Sequence, residues 1–458
     1  MSDFEIARLG MDAEEVAAAG DSTAAHAAAP DAEPDAAPPL MVALYIHVPF
    51  CLSKCAYCDF ESAVSDSRWH APFVDAVLFA ATHWESYDLL SDVPTLYVGG
   101  GTPTVLGDEL VRLVEGLRDI VALRPDAEIT VETNPDTTDP ALIAALIGAG
   151  VNRFSLGVQS LDDAVLATLG RKHSAATAMR AAGVLARSGQ PFSADLICGV
   201  AGQSESSWRD TVAGAVATGV GHLSVYPLSI EDGTPLAAAI EAGTMTDPDP
   251  DVAASMMSLA EELLLEAGIE RYEVANYARP GQESRHNSSY WTGGAYLGLG
   301  PSAASMLPSA AFAVVADAEG WPAIDPSAAR TRFSATCATA EFIRRPLAAP
   351  AEVEHLTAEE VAREDVMLGM RLSRGVLAEQ VVAAGLADVL AGLEADGLVE
   401  CGAGAGLECG AAADDAAAGA AADATAADAG ATAARWRVTP RGWLLGNQVF
   451  GRIWQGSE

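Results

Sequence analysis

The chain has 458 residues, half of them apolar, which is enough for one large core and a smaller second domain. Its 26 Lys and Arg residues against 63 Asp and Glu residues give a formal charge of −37, which argues against nucleic acid and anionic lipid surfaces as partners. No apolar run approaches the roughly 20 residues that span a bilayer, and no signal peptide is recognisable at the start, so we expect a cytoplasmic protein without an integral membrane segment.

Residues 1–39 differ in composition from the rest of the chain. They are rich in Ala, Asp, Glu and Pro and contain almost no large apolar side chains. Such a segment buries too little surface to offset the entropy of ordering. The sequence therefore predicts a disordered acidic tail.

From residue 40 onward, short apolar runs alternate with stretches of helical periodicity. This alternation predicts right-handed βα units, and six of them in series favour an α/β fold with a partial (β/α)6 barrel of the TIM type over residues 40–270. A doubly wound open sheet is the alternative. The predicted strands are Val42–Val48, Thr95–Val98, Glu128–Glu132, Arg153–Val158, Phe192–Cys198 and His222–Leu228. The predicted helices are Trp69–Tyr87, Asp108–Ala122, Pro140–Gly148, Ala175–Ser188, Ser206–Thr218 and Asp251–Ala267.

Two further regions follow the predicted barrel. Residues 271–350 contain short runs at Tyr272–Tyr277 and Ala295–Leu299 and an Ala-rich stretch, Ala310–Arg330, for which we expect irregular structure within a covering subdomain. Residues 351–458 predict a small, mostly helical domain resembling a winged helix. It is interrupted at 402–434 by an insertion of Ala, Gly and Asp that has no capacity for a packed core.

Three of the seven cysteines lie within eight residues, in a loop after the first predicted strand. Cys51, Cys55 and Cys58 have the spacing C-x3-C-x2-C, which suits a metal centre in a reducing compartment better than disulfides. A closed zinc site needs a fourth ligand, and no Cys or His follows at the expected interval. An iron–sulfur cluster held by three thiolates keeps one iron open to an outside ligand. A zinc-binding module remains the alternative.

The cysteine motif resembles that of the radical S-adenosylmethionine (radical SAM) superfamily. The longer run Tyr45-Ile-His-Val-Pro-Phe-Cys51 is similar to the oxygen-independent coproporphyrinogen III oxidase family and its haem-chaperone branch, HemW. The resemblance implies that Cys51, Cys55 and Cys58 hold a [4Fe-4S] cluster. It also implies that S-adenosylmethionine binds the open iron, where the cofactor and not the protein carries the radical chemistry.

The same resemblance implies a set of nucleotide-binding residues at or just beyond the strand ends. Glycines allow the close approach of backbone to ligand, Arg171 can grip a carboxylate bidentately, and Asp195 can accept hydrogen bonds from ribose hydroxyls. Buried ion pairing and core packing are the structural alternatives. The implied residues are Tyr45, Gly99, Gly100, Thr102, Glu132, Gln159, Arg171 and Asp195.

Two features separate the branches of this family. The oxidase has a fourth cysteine two residues after the third, where this chain has Phe60. The run His286-Asn-Ser-Ser-Tyr290-Trp291 resembles the H-N-x-x-Y-W motif of the haem chaperone, which implies haem contact by His286, Tyr290 and Trp291. A core His between two packing aromatic side chains is the structural alternative. We therefore expect haem as cargo, with an acceptor haem protein and an electron donor as partners. We assign no catalytic residue. The oxidase, or another radical SAM enzyme of porphyrin metabolism, is the alternative.

Overall fold

The computed structural model describes residues 39–335, 338–402 and 433–456. The predicted acidic tail, apart from its last residue, lies outside these ranges. Residues 403–432 of the predicted insertion also lie outside these ranges. Among the described residues, no helix is both long and apolar enough to cross a membrane.

Six parallel strands, each paired with the next along the chain, form the central part of the fold. All six predicted strands are confirmed, with bounds shifted by at most five residues. The strands are β1 (Val42–Val48), β2 (Val93–Gly100), β3 (Leu123–Thr133), β4 (Arg153–Gln159), β5 (Phe192–Cys198) and β6 (His222–Pro227).

Helices follow each of these strands, as predicted. Several begin at a side-chain cap: Asp139, Ser174 and Ser204 each accept a hydrogen bond from a backbone N–H in the first turn. The helices are α1 (His70–Glu85), α2 (Asp108–Ile120), α3 (Pro140–Gly148), α4 (Asp163–Thr168), α5 (Ala175–Ser188), α6 (Glu205–Ala217), α7 (Pro235–Glu241) and α8 (Pro250–Glu266).

The two faces of the barrel strands differ in polarity. Side chains alternate between the faces of a strand, and outward residues such as Phe154 and Leu196 belong to the main hydrophobic core under the helices. The inward positions of the same strands carry Ser155, Ser193 and Asp195, which line a cavity. Barrels of this type are usually filled by bulky branched side chains, so this polar interior leaves room for a ligand.

Six further strands extend the barrel sheet at both edges, so that twelve strands within the described ranges form one sheet. Its order is β12-β11-β10-β9-β1-β2-β3-β4-β5-β6-β8-β7. The added strands are β7 (Glu270–Arg271), β8 (Asn276–Ala278), β9 (Ala295–Leu299), β10 (Ala304–Pro308), β11 (Ala328–Ser334) and β12 (Glu352–Thr357). Helices α9 (Arg285–Trp291), α10 (Ser309–Glu319) and α11 (Thr339–Arg344) lie between them.

The expectation of irregular structure over 310–330 is wrong for α10 and for the start of β11. The Ala-rich stretch has no charged face to reveal helical periodicity. Phe312 and Val315 are fully buried against the main core, and this packing stabilises the helix.

The C-terminal region forms a small, mostly helical domain with a second hydrophobic core, as predicted. It contacts the barrel through an isolated bridge between Leu372 and Glu273 and through Trp443, whose Nε1 donates to the Val274 carbonyl at 2.7 Å. Its elements are α12 (Ala358–Gly369), β13 (Val376–Leu377), α13 (Ala378–Ala383), α14 (Ala387–Ala395), β14 (Val399–Gly402), β15 (Arg435–Val438), α15 (Pro440–Leu444) and α16 (Gly446–Gln455). The three strands pair antiparallel, with β15 in the middle.

Candidate functional site

The cysteine loop lies at the carboxyl end of β1. It starts with a short parallel pairing of Phe50–Cys51 with Ala63–Val64, and the Ala56 amide donates to the Leu169 carbonyl at 3.0 Å across the barrel mouth. Cys51, Cys55 and Cys58 are free, partly buried thiols. The loop is thus fixed at both ends and presents all three thiols to the barrel interior.

A cavity of about 470 Å³, which we call the central cavity, lies beneath this loop. Because the strands are parallel, their carboxyl ends meet on one side of the barrel and bring distant residues together. The lining includes nine of the residues predicted for the cluster and the nucleotide: Cys51, Cys55, Cys58, Gly100, Thr102, Glu132, Gln159, Arg171 and Asp195. Tyr45 and Gly99 stand outside this lining.

Polar side chains contact two of the thiols. Arg171 Nη1 donates to Cys55 Sγ at 3.4 Å, and Thr102 Oγ1 donates to Cys51 Sγ at 3.6 Å. Burial raises the pKa of Cys51 and raises that of Cys58 to about 11. These thiols are therefore protonated near neutral pH until a metal centre displaces their protons.

The three thiols fit a cluster better than a single metal ion. Within the described ranges, no group of three Cys, His, Asp or Glu side chains is arranged to hold one ion. In an iron–sulfur cluster each thiolate bonds a different iron, so the ligands stand further apart. The donor set, three soft sulfur atoms with a cationic Arg171 beside them, matches the charge of such a centre.

The glycines at the end of β2 leave space beside the cysteine loop. Gly100 has a φ of +102°, and a Cβ there would lie 2.6 Å from the His47 ring. At Gly101 a Cβ would lie 2.6 Å from the Phe50 carbonyl oxygen and 3.1 Å from Cys51 Sγ. Any side chain here would therefore displace the loop that carries the first cysteine.

Two partly buried carboxyl groups line the central cavity. Glu132 accepts hydrogen bonds from Tyr97 Oη at 2.8 Å and from the Gly100 amide at 3.1 Å, and burial raises its pKa to about 7. Asp195 accepts a hydrogen bond from Ser155 Oγ at 3.3 Å, and burial raises its pKa also. A ligand ammonium group would favour the charged form of either carboxyl and so bind here.

Gln159 and Arg171 complete the polar wall. Gln159 has a φ of +64°, an uncommon conformation for a residue other than glycine, and such strain concentrates at functional sites. Arg171 Nη2 donates to the Gly157 carbonyl at 2.9 Å, which leaves its guanidinium between that strand end and Cys55. A guanidinium so placed can bind a ligand carboxylate beside the cluster loop.

Sequence reasoning missed several polar residues of the cavity, including Tyr97, Ser193, Ser224 and Tyr226. The available signal was alternation. In β5 and β6 the polar residues Ser193 and Asp195, and Ser224 and Tyr226, stand two apart within apolar strands, so they share one face. A polar face on a buried strand indicates a cavity.

The predicted haem residues are not brought to the central cavity. His286 in α9 is 1% exposed, and its two ring nitrogens are hydrogen-bonded to Thr95 Oγ1 and Tyr290 Oη, both at 2.8 Å. Burial lowers the pKa of His286 to about 3. In this conformation both ring nitrogens already have hydrogen-bond partners. Haem contact by His286 stays a prediction. The Arg371 guanidinium lies over the Trp291 ring, with its Cζ 5.0 Å from the ring centroid.

Tyr290 instead lines a second opening beside the cysteine loop, which we call the aromatic cleft. It has a volume of about 420 Å³ and also contains Tyr45, His47, Phe60 and Tyr296. The Phe60 side chain is 60% exposed and borders the central cavity as well. Two residues predicted for different ligands, Tyr45 and Tyr290, therefore lie in the same cleft.

Comparison with known proteins places the chain in a family. Residues 45–213 match the family model described as the radical SAM superfamily. The chain is 38% identical to "Heme chaperone HemW" of Mycobacterium tuberculosis (strain H37Rv) over 366 residues, covering 75% of this chain and 88% of that protein. It is 33% identical to the HemW of Synechocystis sp. over 344 residues, covering 73% and 79%.

A solved structure agrees with the fold. The coproporphyrinogen III oxidase HemN of Escherichia coli, a radical SAM enzyme, superposes with a TM-score of 0.68 at 20% identity, and the match covers 91% of this chain and 90% of HemN. At that identity the likeness shows the fold alone. With the extent of the HemW matches, we conclude that the chain belongs to the HemW family of the radical SAM superfamily.

Proposed function

We propose that this protein is a haem chaperone that binds a [4Fe-4S] cluster, S-adenosylmethionine and haem, and delivers haem to acceptor haem proteins. The observation that carries the proposal is Phe60. It stands where the oxidase has a further cysteine, and it opens an aromatic cleft directly beside the cysteine loop. The similarity to HemW proteins over three quarters of the chain supports the same function.

Cys51, Cys55 and Cys58 would hold the cluster, and the polar wall of the central cavity would hold the nucleotide. When bound, the cluster supplies an electron to the sulfonium centre of S-adenosylmethionine. The chain's own residues orient the nucleotide: Glu132 would accept from its ammonium group and Arg171 would bind its carboxylate. Asp195 and Gln159 would take its remaining polar groups, while Gly99, Gly100, Thr102 and Tyr45 shape or support the wall.

Haem would bind in the aromatic cleft. Flat aromatic side chains pack well on a porphyrin ring, and Tyr45, Tyr290 and Phe60 provide three of them at one opening. In this proposal His286 supports Tyr290 through its hydrogen bond and does not ligate iron. Trp291, the last residue of the same helix, packs against Arg371.

The remaining partners follow from this function. An electron donor would reduce the cluster, and an acceptor haem protein would receive the cargo. We propose a cytoplasmic location, because closely spaced free thiols persist in a reducing compartment.

One anaerobic experiment separates the chaperone from the oxidase. Full-length protein with its cluster reconstituted is incubated with haem, then with an apo-globin as probe acceptor, and both steps are followed by absorbance. A parallel sample receives coproporphyrinogen III, S-adenosylmethionine and dithionite. We expect haem binding and transfer, and no conversion of coproporphyrinogen. Formation of protoporphyrinogen would overturn the proposal in favour of the oxidase.

A further inference from the structure

A small cavity of about 170 Å³, which we call the junction pocket, lies where the barrel meets the C-terminal domain. The barrel contributes Arg271. The C-terminal domain contributes Arg371, Arg437, Trp443 and Phe450, together with the carboxyl group of Glu400. Three guanidinium groups around one small cavity are unexpected in a chain with a formal charge of −37. The arrangement therefore needs a physical explanation.

Arg371 feels the charge of Glu273, but its guanidinium forms no ion pair or side-chain hydrogen bond within the described ranges. Its Cζ lies 4.5 Å from the Phe450 ring and 5.0 Å from the Trp291 ring, so aromatic faces hold the guanidinium. Its Nε is buried and has no hydrogen-bond partner among the residues described. Burial lowers the pKa of Arg371. A buried donor without an acceptor is costly and usually indicates an absent water, ion or ligand.

The charge of Arg437 also has no ion-pair partner in the described ranges. It is exposed, and its Nε donates at 3.4 Å to the backbone carbonyl of Arg374. Arg435, on the same strand, has a lowered pKa because of burial and because Arg374 and Arg437 repel its charge. Four arginines of one domain, Arg371, Arg374, Arg435 and Arg437, thus form no ion pair in the described part of the chain.

Three acidic groups stand at or near the pocket, and none of them forms an ion pair with Arg371 or Arg437 in the described ranges. Glu261 pairs with Arg271 at 3.0 Å, and Glu273 is buried with a raised pKa and accepts from the Ala275 amide. Glu400 stands opposite Arg437 across the β14–β15 pair, but the two form no ion pair in the described ranges. In the described ranges, therefore, no carboxylate is bound directly to the guanidinium group of Arg371 or Arg437, although Glu273 attracts the Arg371 charge through space.

We propose that the junction pocket binds the oxyanion group of a small ligand, a phosphate or a carboxylate. Guanidinium groups bind both anions through paired N–H donors, and an anion would relieve the repulsion among the arginines while giving Arg371 an acceptor. Because the pocket has walls from both domains, a bound oxyanion would also strengthen their contact. It would stabilise the folded protein by mass action.

The test is calorimetric titration of full-length, cluster-loaded protein with sodium phosphate, and separately with sodium acetate, at ionic strength held constant with sodium chloride. Arg437→Gln removes an exposed pocket cation with little effect on folding, and Arg371→Met keeps the apolar stem against Phe450. Arg452→Gln is the matched control, because Arg452 lies in the same domain, pairs with Asp396 at 2.7 Å and does not line the pocket.

We expect saturable binding of at least one anion, weakened about tenfold or more by Arg437→Gln and changed less than about twofold by Arg452→Gln. Saturation by phosphate identifies a phosphate-bearing ligand, and saturation by acetate alone identifies a carboxylate. The proposal is overturned if neither anion saturates, or if Arg437→Gln, Arg371→Met and the control bind alike. Neither result depends on haem, so this test stands apart from that of the chaperone function.

Discussion

The two groups of predicted ligand residues differ in whether the structure brings them to one cavity. The cluster and nucleotide residues come from five strand ends and from the loops beyond them, yet nine of them line one cavity. The haem residues come from one short helix and face different surroundings: His286 is buried against the sheet, Trp291 packs under Arg371, and Tyr290 lines the aromatic cleft. Residues close in sequence thus have different surroundings, whereas residues scattered from Cys51 to Asp195 share one cavity.

The difference follows from backbone geometry. In a parallel barrel every carboxyl end points to the same face, so a polar residue at a strand end has a known destination. On a helix, successive residues point about 100° apart, and nothing in a six-residue motif shows which face meets the core. For α9, three neighbouring elements decide this: Thr95 in β2, Tyr296 in β9 and Arg371 beyond α12.

Loss of one cluster cysteine tests the first group most severely. Cys55→Ala removes one of three thiolates and leaves Arg171 without its sulfur contact. We expect reconstituted iron and sulfide to fall more than about tenfold, because two thiolates do not hold a cluster with an open site. Iron and sulfide analysis and visible absorbance measure this loss. Cys198→Ala, which removes a buried thiol outside the central cavity, is the matched control and should retain full loading. Equal loading in both variants would contradict the assignment.

If Glu132 binds the nucleotide as proposed, its raised pKa should make nucleotide binding depend on pH. Its pKa of about 7 means that the charged form, which accepts from an ammonium group, is mostly lost at pH 6. We expect the affinity for S-adenosylmethionine to fall about tenfold between pH 8 and pH 6. In Glu132→Gln the affinity should be low at both values. Equilibrium dialysis of the cluster-loaded protein measures it, and an unchanged pH profile in Glu132→Gln would assign the titration to another group.

The raised pKa of the Glu132 carboxyl should also make the free energy of unfolding depend on pH. Its pKa is raised on folding, so between about pH 4.5 and pH 7 the native state binds more protons than the unfolded state. The free energy of unfolding therefore falls by about 3 kcal/mol in total as pH rises through this window, and it becomes constant above it. Without nucleotide, urea unfolding should show this slope in the parent protein and a weaker one in Glu132→Gln. Equal pH slopes in the parent protein and in Glu132→Gln would show that another group causes the pH dependence.

The sequence predicted the barrel and the cavity better than the surrounding elements, for identifiable reasons. Strand β5 and helices α3 and α5 match their predicted bounds because caps and turn residues flank strong apolar patterns. Helix α10 was missed because its Ala-rich stretch owes its stability to Phe312 and Val315 against a distant core. Tyr45 was predicted as a nucleotide ligand, but its neighbours in the aromatic cleft come from β9 and α9, which no local pattern reveals.

A conservative change at His286 tests the second group. Gln has a similar reach and can keep one hydrogen bond, to Thr95 or to Tyr290, but it is a poor iron ligand. We expect His286→Gln to lower the free energy of unfolding by about 1–3 kcal/mol, because one buried hydrogen bond is lost. Haem affinity and the position of the haem absorbance band should change little. Denaturant unfolding and haem titration measure the two effects, and a shifted band in folded protein would show that His286 ligates iron after a rearrangement.

Phe60→Ala gives the smallest expected effect and bears most directly on where haem binds. The Phe60 ring is 60% exposed, so its truncation should leave the free energy of unfolding nearly unchanged. If haem lies in the aromatic cleft, the ring loses part of its solvent contact on binding, and its removal should weaken haem binding about three- to tenfold. Phe79→Ala is the matched control, because that ring is 55% exposed on α1 and lies outside both the cleft and the central cavity. Absorbance titration of both variants decides the site: equal weakening would reflect general apolar binding, whereas weakening by Phe60→Ala alone requires contact with the cleft, since the two substitutions remove the same side chain from similarly exposed positions.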